Sequence, residues 1–169
     1  MRGQEEIYQL LNELGISFDY YEHPPVPTVT EAAKYWKDIE SAHCKNLFFR
    51  NHKGNRHYLV IFDYRKTIEI REIEQYLKQG KLTFASENRM QKYLGLKPGS
   101  VSPFGLINDG EKHVTVFIDS DLKKSQRISF HPNINTASLV IPFDGFIKYL
   151  DFSGNRYEFL KMDGKYNEI

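Results

Sequence analysis

The chain has one cysteine, Cys44, among its 169 residues. That excludes an internal disulfide and a cysteine-built zinc cluster, leaving only the question of a lone nucleophile. No apolar run approaches the roughly 20 residues that cross a bilayer, and the opening MRGQEEIYQL carries no secretory hydrophobic stretch. No membrane partner is expected, and the expected location is cytoplasmic. A dominant charge is also missing: 23 Lys and Arg stand against 22 Asp and Glu, a net charge of +1, so nothing global announces a polyanionic partner. The histidines, His23, His43, His52, His57, His113 and His131, show no H-E-x-x-H or comparable ligand spacing. No metal and no cofactor are expected. Repeats, low-complexity segments and linkers are absent as well, and the length suits one domain of roughly 100–200 residues. A single domain over residues 1–169 follows.

What the sequence does contain is ordinary globular material, 40% hydrophobic and 27% charged. Ile7, Leu10, Leu11 and Leu14 have helical spacing, and Gly15 follows where a helix ends in a left-handed residue. Ser17–Tyr21 reads as a strand. HPPVPTVT then leads to Thr30 as the expected N-cap of a helix through Tyr35 and Trp36. Cys44–Arg50 and His57–Asp63 read as a hairpin around the turn NHKGN. Helices are expected over Ile70–Gln79, ending at Gly80, and from a Ser86 cap through Leu94, ending at Gly95. Leu82–Ala85, Val114–Ile118, Ser138–Ile141, Phe146–Asp151 and Arg156–Phe159 read as strands, the last two joined by SGN into a hairpin. Strands outnumber crossover helices, which predicts an α+β domain with a mixed, largely antiparallel sheet.

Charge is uneven locally. Lys45, Arg50, Lys53, Arg56, Arg65 and Lys66 face only Asp63 over the same stretch, and KKSQR adds Lys123, Lys124 and Arg127. A solvated face explains such runs by default.

Three segments mix polar groups into apolar strand ends. Lys45 and Asn46 precede Leu47, Phe48 and Phe49, although a buried strand excludes an ammonium that lacks a partner. LGLKPGSVSPFGLIND contains a G-x-x-x-P loop from Gly99 to Pro103, where Gly permits close approach of the backbone and Pro fixes the turn. FHPNINTAS places His131 before a proline and leads through Asn135, Thr136 and Ala137 into a strand. In this order the three segments resemble the YbaK/prolyl-tRNA synthetase-associated editing domain family, and within it the free-standing ProX (PrdX) type of alanyl-tRNA(Pro) deacylase. The resemblance extends from the first helix and HPPVPTVTEA almost to the end of the chain.

The resemblance implies an α+β fold with a barrel-like sheet flanked by helices, and a hydrolase that cleaves the ester of Ala-tRNA(Pro). A synthetase pocket built for proline rejects the smaller alanine by only about 1–3 kcal/mol, so a second, smaller sieve is needed. Lys45, Gly99, Pro103 and His131 are the implied catalytic residues. Asn46, Ser100, Val101, Ser102, Phe104, Gly105, Asn135, Thr136 and Ala137 are the implied substrate contacts. Water suffices as the attacking group, because a positioned water and donors aimed at the developing oxyanion meet the needs of an activated ester. Lys45 then binds either the terminal phosphate or the ester region, and His131 either moves a proton or shapes the pocket. Cys44 is turned away from any pocket that Lys45 faces, since strand neighbours point to opposite sides. Arg50, Lys53, Arg56, Arg65 and Lys66 become candidates for the phosphates of tRNA. The implied partners are tRNA and, transiently, prolyl-tRNA synthetase, with the chain a monomer. Deacylation of Cys-, Ser- or Thr-tRNA, or silent tRNA binding, are the alternatives.

Overall fold

The computed structural model describes residues 3–25 and 29–167. The elements run α1 (Gln4–Glu13), β1 (Asp19–Glu22), α2 (Val29–Trp36), β2 (Ala42–Asn51), β3 (His57–Asp63), β4 (Lys66–Thr67), α3 (Ile70–Leu77), β5 (Leu82–Phe84) and α4 (Glu87–Leu94). After a 3-10 turn at Pro103–Asn108 come β6 (Val114–Asp119), a second 3-10 turn at Ser120–Lys124, β7 (Arg127–Phe130), β8 (Ala137–Pro142), α5 (Phe143–Ser153), β9 (Tyr157–Leu160) and β10 (Lys165–Tyr166).

Eight strands form one mixed sheet in the order β1-β8-β7-β2-β3-β6-β9, with β5 also on β2, while β4 and β10 make a small separate ladder. The pairs β1–β8, β7–β8, β2–β3 and β2–β5 are antiparallel, and β2–β7, β3–β6 and β6–β9 are parallel. The mixed, largely antiparallel α+β architecture is the expected one. Its inner face is a continuous core in which Phe48, Leu59, Ile61, Val116, Ile128, Phe130 and Leu139 meet Ile7 and Leu11 of α1 and Phe146, Tyr149 and Leu150 of α5. The outer face is covered in two places. Ile73 and Leu77 of α3 pack on Phe49, Val60 and Phe62, and Trp36 of α2 reaches Ser138 of β8, His43 of β2 and Tyr64 just past β3.

Local signals hold where neighbouring residues carry them. Gly15 has φ +70° after α1, Ser86 Oγ accepts from the Arg89 N–H at 3.3 Å, and Gly95 ends α4 in the left-handed region. Three expectations fail. Phe146–Asp151 is helix, not strand: Phe143, Phe146, Ile147 and Leu150 are spaced for one face of a helix, and Gly154 of SGN is its left-handed cap. Arg156–Phe159 therefore has no hairpin partner, and β9 pairs in parallel with β6. Thr30 lies inside the first turn of α2, which begins at Val29. β7, Arg127–Phe130, carries no expectation in the sequence reading.

Candidate active site

β2 changes partners along its length. Ala42 and His43 pair with Ile128 and Ser129 of β7, whereas Phe49–Asn51 pair with Leu82–Phe84 of β5. Between these ladders, the edge of β2 from Cys44 to Leu47 has no strand beside it among the described residues. Phe48 O accepts from the Ala85 N–H at 2.9 Å across this edge. Strand geometry repeats every second residue, so the main-chain N–H and C=O of Asn46 face the same gap. Side chains alternate likewise: Cys44 and Phe48 belong to the inner core and Phe49 to the outer one. Asn46 therefore points inward, where its Oδ1 is buried without a hydrogen-bond partner among the described residues, and Lys45 points outward. Burial pushes the Cys44 thiol well above its ordinary pKa, with Asp63 and Asp119 adding to the effect. A thiol in that state is a poor nucleophile.

The Lys45 ammonium is half-buried over the Phe62 ring, 5.8 Å from its centroid, and donates to the Lys66 carbonyl at 3.0 Å. Burial lowers its pKa, and Asp63 opposes that shift. An ammonium has three donors, so one is engaged by Lys66.

The β2–β7 ladder ends at His43 and Ser129, and His131 follows directly after β7. Phe130 faces the inner core, so His131, the next residue, turns to the outer side with Lys45. The His131 Nδ1 lies 2.8 Å from Ala137 O. A carbonyl only accepts, so Nδ1 carries the proton and Nε2 presents a lone pair. Burial holds the imidazole pKa below its ordinary value, with the Ala137 bond opposing and His23 adding. The ring meets His23 at 5.8 Å, and His23 stacks on Tyr35 of α2 at 5.7 Å and contacts Ser138 Oγ at 3.2 Å.

The Gly99–Pro103 loop lies beside the segment that follows His131. Gly99 is exposed at φ +89°, and the nearest atom to a Cβ there is Asn135 Nδ2 at 3.9 Å, so the loop abuts the segment that follows His131. Within the loop the polar groups are largely engaged. Ser100 Oγ donates to Lys97 O, Ser102 Oγ accepts from the Phe104 N–H, and Tyr149 OH donates to Pro103 O. Val101 is half-buried against the inner core. Phe104 and Gly105, expected as substrate contacts, lie within that core. Phe104 packs on Phe130 and Tyr149, and a Cβ on Gly105 would meet Leu96 Cδ1 at 2.7 Å. Their packing holds the loop in place. Of FHPNINTAS, Asn135 and Thr136 are half-buried and Ala137 is buried.

The basic segment does not form one face. Lys53 and Arg56 are exposed at the hairpin tip, and Arg50 donates to Asn51 O and His52 O nearby. Arg65 lies at the opposite end, about 20 Å away for six residue steps of strand, and grips Asp63 with Nε–Oδ1 3.1 Å and Nη2–Oδ2 2.8 Å. Lys66 is not available to tRNA. Its ammonium is 2% exposed and enclosed by Asp119, Asp121 and Met162 O. Sequence reasoning also missed His23, Tyr35, Trp36 and Ser138. No local signal marks them, since His23 and Ser138 meet across 115 residues.

Comparison with known proteins gives the family. Residues 23–149 match the model of the aminoacyl-tRNA editing domain. The chain belongs to that family. A prolyl-tRNA editing protein ProX from Acetoanaerobium sticklandii is 37% identical over 96% of this chain and 99% of that protein. The mouse prolyl-tRNA synthetase associated domain-containing protein 1 is 29% identical over 96% of this chain and the whole of the other. A crystal structure of a candidate trans-editing enzyme for prolyl tRNA synthetase shares the fold, with TM-score 0.68 at 18% identity, covering 94% of this chain and 96% of that one.

Proposed function

We propose that the protein is a trans-editing hydrolase that cleaves the ester of Ala-tRNA(Pro), with water as the attacking group. The observation that carries this reading is the uncovered edge of β2 at Asn46, with Lys45 beside it engaging only one carbonyl in a hydrogen bond among the described residues. Water adds to the ester carbonyl, whose electron pair moves onto oxygen. Collapse of that intermediate expels the ribose oxygen, which takes up the proton lost by the water. Lys45 supplies the positive charge that holds the substrate at the ester or at the neighbouring phosphate. A neutral His131 presents Nε2 as an acceptor that orients the attacking water or the vicinal ribose hydroxyl. The main-chain groups of Asn46 face the uncovered edge, and they and those of the Gly99 loop suit contacts with the amino acid. Proline is excluded by size, because steric rejection discriminates where attraction cannot.

Arg50, Lys53, Arg56 and Arg65 remain the candidates for tRNA phosphates, and transient contact with prolyl-tRNA synthetase is the protein partner that this reading implies. The test is the loss of radiolabelled amino acid from Ala-tRNA(Pro) and Pro-tRNA(Pro), with Cys-, Ser- and Thr-charged tRNAs in parallel. Release of alanine alone is expected. Equal hydrolysis of the alanyl and prolyl esters sinks the size-exclusion argument.

A further inference from the structure

One buried hydroxyl reaches the Gly99–Pro103 loop from the core. Tyr149 of α5 is wholly buried, and burial raises its phenol pKa, so the side chain stays a neutral donor. A tyrosine O–H taken out of water needs an acceptor, and Tyr149 finds Pro103 O at 2.7 Å, 46 residues back in the chain. Its ring packs edge-on to Phe104, the residue after Pro103, with centroids 5.3 Å apart. Phe104 meets Phe130 at 6.0 Å, and Phe146 meets Phe130 at 4.9 Å. Phe146 and Tyr149, three residues apart, share one face of the helix. Phe130 ends β7, directly before His131. That face of α5 thus supports both the loop and the strand end that carries His131.

The bonds inside the loop set its shape rather than its place. The N–H and Oγ of Ser100 both donate to Lys97 O, while Ser102 O accepts from the Gly105 N–H and Ser102 Oγ from the Phe104 N–H. Each of these closes over two or three residues. From farther along the chain, Asn133 Nδ2 reaches Phe104 O, but at 3.4 Å, which is long for a hydrogen bond. The Tyr149 bond is the short one. Apolar contact is non-directional, so ring packing by itself tolerates small shifts, whereas a hydrogen bond weakens steeply with angle and distance. The hydroxyl is therefore the group that fixes the loop on the core.

We propose that Tyr149 is a positioning residue for deacylation: without touching the substrate, its hydroxyl holds Pro103 O and with it the main-chain groups of the Gly99–Pro103 loop in the geometry that the aminoacyl ester requires. The proposal rests on the deacylase reading. A misplacement of about 1 Å caused by a change far from the reacting atoms can slow a reaction roughly 100-fold. Loss of one hydrogen bond from a loop that keeps its ring contacts is a smaller disturbance, so a fall of about tenfold is expected.

The test compares Tyr149→Phe, which removes only the hydroxyl, with Leu150→Val, which thins the same buried core and takes no group from the loop. Single-turnover hydrolysis of Ala-tRNA(Pro) is measured over a range of protein concentrations. For Tyr149→Phe the maximal rate falls about tenfold while the half-saturating concentration moves less than about twofold, the pattern of a lost transition-state contact. Leu150→Val keeps the wild-type rate. Amide hydrogen exchange over residues 97–106, followed by mass spectrometry, becomes at least about fivefold faster in Tyr149→Phe, as local opening gets easier, and stays unchanged in Leu150→Val. Should Tyr149→Phe be unfolded under assay conditions, trimethylamine N-oxide favours its compact state, and the rate per folded molecule is compared with wild type in the same osmolyte. A rate that stays low supports positioning, and a rate that returns to the wild-type value overturns it. Equal slowing in Leu150→Val, or loop exchange that Tyr149→Phe does not change, also overturns the proposal. A wild-type chain that hydrolyses no aminoacyl-tRNA removes the deacylase reading, and the exchange measurement then still decides whether Tyr149 holds the loop.

Discussion

Nζ of Lys45 donates to the main-chain carbonyl of Lys66 at 3.0 Å, and Lys66 is itself locked. Its ammonium is 2.5 Å from Asp119 Oδ2, 2.9 Å from Asp121 Oδ2 and 2.8 Å from Met162 O. The opposed charges of Asp119 and Asp121 raise its pKa against the effect of burial. One buried lysine thus fixes the backbone group that orients the other. Lys66→Met leaves Asp119 buried and uncompensated, which costs about 3–5 kcal/mol. Urea unfolding should show that loss, and activity per folded molecule should fall as the Lys45 anchor loosens. An unchanged unfolding midpoint contradicts the account.

Lys45→Ala should reduce deacylation about 100-fold, the scale of losing one preorganised donor, with little change in the melting temperature. Cys44→Ser should keep its activity, because the thiol faces the inner core. It should lose about 1–3 kcal/mol for burying a hydroxyl there. Paired single-turnover assays and melts on both variants check this, and an inactive, folded Cys44→Ser restores the nucleophile.

His57 gives a pH signature. It is fully buried, its Nε2 is 3.0 Å from Arg89 Nη1, and its Nδ1 is 2.9 Å from His113 Nε2. Arg89 donates, so the ring is a neutral donor toward His113. Burial first, then His113 and Arg89, push its pKa down to about 4. The unfolded value is about 6.5, so below that pH the unfolded chain binds the extra proton. Stability is therefore full above about pH 6.5 and declines toward about pH 4. Denaturant unfolding at several pH values should show this slope in the native chain and a shallower one in His57→Phe.

Gly99 and Gly105 should respond differently to alanine. At Gly99 the space is open, and only the left-handed backbone is penalised, by about 1–2 kcal/mol. At Gly105 the added Cβ meets Leu96 Cδ1 at 2.7 Å and the Leu94 carbonyl at 3.0 Å, an overpacking cost of about 1–3 kcal/mol with the loop displaced. Thermal melts rank the two, and deacylation should fall in both because each moves the loop.

Lys53→Glu with Arg56→Glu tests the hairpin tip alone. If both residues meet phosphates, the slope of log affinity for tRNA against log salt becomes shallower by about 2. An unchanged slope, measured by filter binding, returns the tip to ordinary solvated surface.

The caps at Ser86 and Gly95 and the β2–β3 hairpin were legible in the sequence, and the resemblance pointed to Lys45, the Gly99–Pro103 loop and His131 as the candidate site. A cap or a strand is announced by a few adjacent residues, and alternation alone separates Lys45 from Cys44. The helix at Phe143–Ser153 was hidden because a short aromatic run has both strand and helix spacing, and its packing on the inner core decides between them. Lys66 looked like its basic neighbours, yet Asp119 and Asp121, more than 50 residues away, turn it into a buried ion pair. The uncovered edge of β2 and the contact of His131 with His23 belong to no local stretch. They follow from which strands pair and in what register, and pairing is settled by the burial of whole faces rather than by the residues at the site.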